Sequence, residues 1–265
     1  MAKKKSRYDA IIERIFFSHY KPGQIKVQFE RKEIEVAASK LKIHLPKNLG
    51  DLVYSFRYRT ELPERILRTA PEGLHWIIRP AGPARYSFHL SPEATVQPSA
   101  LLAVTKVLES TPGIIEKYAL NDEQALLAKI RYNRLVDTFT SLTCYSLQSH
   151  LRTTVPDMGQ VETDEIYIGI DKRGVHYVLP VEAKSATDRV GVVQIEQDFA
   201  VCQAKFPGAI ARPVAAQFVD PTPIAMFEFG LGDKGVVITA EKHYKLVAPG
   251  ELSQEELHEY QRRRA

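Results

Sequence analysis

Thiols are scarce in this chain: two cysteines in 265 residues, Cys144 and Cys202. They stand alone, at no metal-ligand spacing and in no disulfide framework, which suits a reducing cytoplasm. Both read as buried apolar side chains. No apolar run reaches the roughly 18 residues that a membrane-spanning helix needs. The start, MAKKKSRYDAIIERIFF, is basic but has neither an apolar core segment nor a cleavage site, so it does not read as a secretory signal. No G-x-x-x-x-G-K-[ST] loop is present, which argues against a Walker-type nucleotide site. Ser185 has no histidine in register, so no serine-hydrolase arrangement is legible. Internal repeats and low-complexity segments are also lacking. The expectation is a cytoplasmic globular protein with no membrane partner and no nucleotide cofactor.

What the chain does have is an uneven charge. Residues 1–90 carry 18 Lys/Arg against 9 Asp/Glu, a net +9, and the remainder carries 18 against 23, a net −5. A basic front half points to a polyanionic partner there, although chance surface charge gives the same skew. The front half reads as helices over 8–17, 30–41 and 47–56, with a break at Pro46. Two strands follow, 74–79 and 84–90, around a Pro/Gly turn. Helix, helix, hairpin is the layout of a winged helix. That fold would put Lys47, Arg57 and Arg59 near a groove-facing helix and Arg79 and Arg85 in the wing. The other reading is a small α+β domain with a merely solvated basic surface. Trp76 reads as core rather than as a base-stacking platform.

Residues 93–120 read as a connector carrying a short packed helix, Leu101 to Leu108. A long helix is expected over 121–142, capped by Asn121 or Asp122, with Leu126, Leu127, Ile130, Leu135 and Phe139 on its apolar face. The stretch after it, residues 145–159, reads as partly ordered and of unclear structure. It holds His150, a candidate base, and Arg152, a candidate phosphate contact. Strands are expected over 160–170 and 175–184, a helix over 190–206, and strands over 211–219, 224–230 and 235–247. Residues 251–265 read as a charged helical tail. The domains expected are 1–92, 121–250 and the tail, with the connector between the first two.

The two strands before residue 185 carry the chemistry. Asp171-Lys172-Arg173-Gly174 suits a three-residue hairpin loop with Gly174 in the left-handed region. Closing the loop at Asp171–Val175 sets Asp164 opposite Glu182 and Glu162 opposite Lys184. Facing side chains on one side of a sheet sit about 5 Å apart. A slip of one residue would bring Glu165 there instead of Asp164. Both faces of the hairpin are otherwise largely apolar, as in central strands of a covered sheet. Two opposed carboxylates repel, so a shared proton, a cation or a metal ion must offset them. Mg²⁺ takes hard oxygens and completes its shell with water and phosphate oxygens. Lys184 could position the attacking water or stabilise a pentavalent phosphate. The bland alternative is a cross-strand ion pair of Glu162 with Lys184.

Asp164 followed by Glu182-Ala183-Lys184 resembles the active-site signature of the PD-(D/E)XK nucleases, the restriction-endonuclease-like superfamily. In that family the first acid lies on one strand, E-x-K on the adjoining strand, and a helix follows. The residue before Asp164 is Thr163, where the family often has Pro. The resemblance covers roughly residues 120–247. It implies an α/β restriction-endonuclease-like core, a mixed sheet flanked by helices, behind the winged-helix-like domain. It implies Mg²⁺ on Asp164 and Glu182, with Lys184 acting on the water. Gln194 on the following helix is either a site residue or polar helix surface, and Glu162 is either an added ligand or the partner of Lys184. The function implied is Mg²⁺-dependent hydrolysis of double-stranded DNA, in the manner of a type II restriction enzyme acting as a homodimer. The alternatives are a repair or recombination nuclease that reads DNA structure, and a non-catalytic DNA-binding regulator.

Overall fold

The structure, a computed structural model, describes residues 6–45, 49–58, 60–92, 94–119, 123–156, 158–219, 222–233 and 235–263. Pro46, Lys47 and Arg59, and the candidate caps Asn121 and Asp122, lie outside these residues. The protein is a mixed α/β structure with one large mixed sheet flanked by helices.

In chain order the front elements are α1 (Arg7–His19), β1 (Lys26–Glu30), α2 (Lys32–Leu41), α3 (Gly50–Tyr58), α4 (Glu64–Leu67), β2 (His75–Pro80), β3 (Arg85–Ser91) and β4 (Thr95–Val96). Then come β5 (Val104–Leu108), α5 (Gly113–Tyr118), α6 (Glu123–Tyr132), α7 (Leu135–Thr140), β6 (Thr143–Val155), β7 (Gly159–Ile170) and β8 (His176–Lys184). The rest are β9 (Val190–Gly191), α8 (Val192–Lys205), β10 (Ile210–Ala211), β11 (Val214–Phe218), β12 (Ile224–Gly232), β13 (Gly235–Val247) and α9 (Gln254–Arg262). The chain divides into two compact units, one of residues 1–96, 152–161 and 191–204, the other of 97–151, 162–190 and 205–265.

In the first unit α1 starts on a reciprocal cap. The Asp9 N–H donates to Ser6 Oγ at 3.2 Å, and the Ser6 N–H donates to the Asp9 carboxylate at 2.8 Å. Ile11, Ile12, Ile15 and Phe16 fall at helical spacing and are buried. They meet Ile34, Ala37, Leu52, Val53, Trp76 and Phe88 in a single core. The antiparallel sheet runs β1-β3-β2. The alternation Lys-Val-Gln-Phe-Glu buries Val27 and Phe29 of β1, a strand that the expectation of a helix from residue 30 passed over. Trp76 is buried against Phe16 and donates its indole N–H to Thr69 Oγ1 at 2.9 Å, so it is core.

The second unit is built on seven strands in the order β5-β13-β12-β11-β8-β7-β6, with β10 added beside β8. β7 and β8 are antiparallel, β8 and β11 parallel, and β13 and β5 parallel. One face buries Tyr167, Leu179, Val181, Ala183, Val214, Ala216 and Met226 against Leu126, Leu127, Ile130, Leu135 and Val136 of α6 and α7. The alternate residues Ile166, Val178, Ala215, Ala225, Phe227 and Phe229 are buried as well, so the central strands are covered on both faces.

Three expectations need correction. Residues 101–108 form no packed helix. Val104–Leu108 is an edge strand parallel to β13, and Leu101 is 95% exposed. A short apolar run does not distinguish helix from strand, and here an open edge of β13 decided it. The tail helix α9 lies on this strand: the Lys106 N–H donates to Tyr260 Oη at 2.9 Å, and Lys106 Nζ pairs with Glu256 at 2.7 Å. The long helix expected over 121–142 is two helices. Asn133 donates through Nδ2 to Lys129 O at 2.9 Å and to Thr111 Oγ1 at 3.0 Å, and Arg134 turns left-handed (φ 49°). Most of the stretch 145–159, read as partly ordered with unclear structure, belongs to the long edge strand β6 (Thr143–Val155).

Candidate functional site

The β7–β8 hairpin closes as its turn residues demand. The Gly174 N–H donates to Asp171 O at 2.9 Å, the Asp171 N–H to Val175 O at 3.2 Å, and Gly174 has φ +81°. Asp171 fastens the turn: Oδ1 accepts from the N–H groups of Arg173 at 2.8 Å and Val175 at 3.0 Å. Desolvation pushes its pKa up, but the hydrogen bonds from Val175 and Arg173 and the Arg173 charge together outweigh it, and the pKa falls to about 2. From the turn the ladder runs Ile170–His176 through Glu165–Val181 and ends there, one residue short of Asp164 and Glu182.

Those two carboxylates and Lys184 come together. Lys184 Nζ lies 3.5 Å from Glu182 Oε2 and 3.9 Å from Asp164 Oδ2. Asp164 Oδ2 also accepts the Ala183 N–H at 2.9 Å, a cross-strand bond that holds the carboxylate against β8. Glu182 has no exposed surface and Lys184 is 8% exposed. Burial lowers the Lys184 pKa, but the charges of Glu182, Asp164 and Glu123 outweigh it, and the pKa stands above the usual lysine value. The ammonium therefore stays charged at neutral pH. It offsets the repulsion between the two acids.

A third carboxylate at this point escaped the sequence reading. Glu123, the first residue of α6, places Oε1 3.7 Å from Lys184 Nζ. Gln217 on β11 was also missed; it is the parallel ladder partner of Lys184. Its Nε2 donates to Asp188 O at 2.6 Å and lies 3.5 Å from Ser185 O. No local signal marks either residue, because both reach the site through sheet order and helix packing.

Glu165 is separated from Asp164 by the pleat. It points to the α6 side, where Oε1 accepts from Arg131 Nη2 at 2.9 Å, Arg131 Nε at 3.1 Å and Ser146 Oγ at 2.5 Å. Glu162 sits beside His150, with Oε1 3.9 Å from Nδ1. His150 itself is exposed, has a left-handed backbone (φ 50°) and places Nε2 3.1 Å from Gln124 Nε2. Gln194 lies half-buried in α8, in the other compact unit.

Compared with models of known protein families, with curated proteins and with solved structures, the chain matches none.

The basic residues expected to meet DNA that the structure describes have various surroundings. Arg79 is held by Glu196 of α8 through two hydrogen bonds, one of them 2.7 Å from Nε to Oε2. Arg57 stacks over the Tyr58 ring at 4.8 Å, with Nε and Nη2 buried and making no hydrogen bond. Arg85 opens β3 and is exposed, and Arg152 is exposed on β6. Lys47 and Arg59 fall outside the described residues. Within the first unit the α8 side chain of Gln197 accepts the Tyr58 hydroxyl at 2.5 Å.

Among the described residues no group of three or more His, Cys, Asp or Glu side chains converges as a metal-binding set. Asp164 and Glu182 still offer two hard carboxylates at one point. That set fits Mg²⁺, which commonly takes one or two carboxylates and fills its shell with water and phosphate oxygens. Among the described residues no helix is long and apolar enough to cross a membrane.

Proposed function

We propose that the protein is a Mg²⁺-dependent nuclease that hydrolyses DNA phosphodiester bonds at Asp164, Glu182 and Lys184. One observation carries this reading. Two buried or half-buried carboxylates and a charged lysine share one point, Glu182 and Lys184 from the end of β8 and Asp164 from mid-β7 just past the last hairpin pair. The order of elements supports it. From α6 to β11 the chain runs through α7, the neighbouring strands β6, β7 and β8, the short β9, helix α8 and the two-residue β10, and β11 lies parallel to β8. This is the arrangement that the resemblance to the PD-(D/E)XK nucleases implies.

Asp164 and Glu182 would hold Mg²⁺, which when bound lowers the pKa of a water and offsets charge on phosphate oxygens. The chain's own residues do the rest. The Ala183 N–H fixes the Asp164 carboxylate, leaving its second oxygen directed by the same bond. Glu182, fully buried, is presented in one orientation. Lys184 Nζ directs its donors to the attacking water and to the non-bridging phosphate oxygens as negative charge builds.

The front of the first unit, with its order α1-β1-α2-α3-α4-β2-β3 and sheet β1-β3-β2, reads as a winged-helix-like DNA-binding domain. The net +9 over residues 1–90 supports a phosphate partner. A nuclease with its own reading domain fits sequence-specific cleavage of duplex DNA by a homodimer.

The test is incubation of the full chain with plasmid and phage DNA, in Mg²⁺ and in EDTA, beside Lys184→Ala and Asp164→Asn. Discrete fragments that need Mg²⁺ and vanish in both variants are expected. Salt-sensitive DNA binding without cutting, on duplex and on flap or junction substrates alike, would overturn the reading in favour of a regulator.

A further inference from the structure

Lys184 is surrounded by charge but held by no short bond. Its three carboxylate neighbours stand at 3.5, 3.7 and 3.9 Å, beyond the roughly 2.7–2.9 Å of a charge-assisted hydrogen bond. One strand over, on the same face of the sheet, lies an acceptor with nothing to accept. Gln217 is 5% exposed, its Nε2 is committed to the Asp188 carbonyl, and its Oε1 is buried with no hydrogen-bond partner. An unmade hydrogen bond in a buried amide costs about 1–3 kcal/mol, so a partner is worth seeking. The ladder names it. On that face the neighbours of Gln217 are Lys184 on β8 and Ala225 on β12. Ala225 has no donor to give, and Lys184 has three.

We propose that Gln217 is a positioning residue of the site: its Oε1 receives the Lys184 ammonium when Asp164 and Glu182 take up a divalent cation. This rests on the reading of those two carboxylates as the cation site. The physical need is plain. A cation and an ammonium compete for the same carboxylates, and a lysine with no other acceptor stays between them. A neutral amide can draw the ammonium aside without adding a fourth negative charge that would fix it there.

The test is Mn²⁺ binding to the full chain, by calorimetry or paramagnetic resonance, in a double-mutant cycle. Wild type should bind Mn²⁺ and Asp164→Asn should not. Gln217→Met should weaken binding about tenfold, the scale of one hydrogen bond to a charged group. Lys184→Met combined with Gln217→Met should bind as Lys184→Met alone does, because the effect of Gln217 runs through Lys184. Gln217→Glu keeps an acceptor and loses the Nε2 tether, and it should not weaken binding; if Gln217→Met does not fold, this variant decides the matter. Equal weakening by Gln217→Met in both lysine backgrounds, no weakening at all, or weakening by Gln217→Glu would each overturn the proposal while Asp164-dependent binding stands. Binding unaffected by Asp164→Asn would instead remove the cation reading, and the proposal with it.

Discussion

Arg131 on α6 gives two hydrogen bonds to a single oxygen of Glu165, a carboxylate with no exposed surface. The pair works against desolvation: burial lowers the Arg131 pKa, yet Glu165 outweighs it and holds the pKa above its ordinary value. Removing the arginine leaves the buried Glu165 charge without its partner. Because Arg131 is itself 43% exposed and water screens its side of the pair, Arg131→Met should lower stability by about 1–3 kcal/mol at neutral pH. Arg131→Met with Glu165→Gln should recover much of that loss. Urea unfolding of the two variants checks this. Equal loss in both would show that the pair matters only through packing.

Lys184 stands in the same relation to Glu182. With Lys184→Ala, Glu182 and Asp164 face each other with the lysine charge removed, and a loss of about 3 kcal/mol is expected at neutral pH. Adding Mn²⁺ should restore part of it, because a bound cation stabilises the folded state by mass action. Melting curves with and without Mn²⁺ read this directly. A variant as stable as wild type would show that the carboxylates share a proton instead.

Asp171 gives the hairpin a pH dependence. Its folded pKa of about 2 lies below the roughly 3.9 of an unfolded aspartate. Its contribution is thus fully present above pH 4 and is lost as the pH falls through 2. Asp171→Asn should lower the melting temperature at pH 6, and the gap to wild type should close between pH 4 and pH 2. A gap independent of pH would assign the effect to the lost acceptor geometry alone.

Both thiols should be inert in the folded protein. Burial pushes Cys144 up to about 11 and Cys202 up to about 12. Thiolate, not thiol, reacts with disulfide reagents. Labelling with such a reagent at pH 8 should follow the unfolding rate rather than the reagent concentration. Immediate reaction of either residue in native protein would contradict their burial.

The backbone at residue 174 is a place where chemistry and chain direction coincide. Gly174 has φ +81°, with open space where a side chain would be. Gly174→Ala should cost about 1 kcal/mol through backbone strain alone, measured by denaturant unfolding.

Much of the candidate site was legible because it is local. Asp171 to Gly174 specify their own turn, and a hairpin turn sets every pair behind it. That is why the Ile170–His176 ladder, and the separation of Asp164 from Glu165 onto opposite faces, could be read from residue types. The amphipathic α1, α2 and α8 were legible for the same reason, since a periodic apolar stripe needs no distant partner to be recognised.

Where two answers were locally equal, the sequence was silent. Val104-Thr-Lys-Val-Leu108 can be helix or strand, and the free edge of β13 made it β5. The helix expected over 121–142 breaks because Asn133 finds Thr111, Glu109 and Ser110 from a segment more than twenty residues away. Edge strand β6 has an irregular burial pattern, so period-two alternation never announced it.

Sequence alone determined the hairpin register from Ile170–His176 to Glu165–Val181, and with it the separation of Asp164 from Glu165. Tertiary structure alone decided that Glu123 comes from α6 to Lys184, that Gln217 lies beside it on β11, and that Arg79 is spent on Glu196. The difference is physical. A turn is written in the conformational limits of four consecutive residues, whereas strand order and helix packing are settled by burial that is shared across the whole chain.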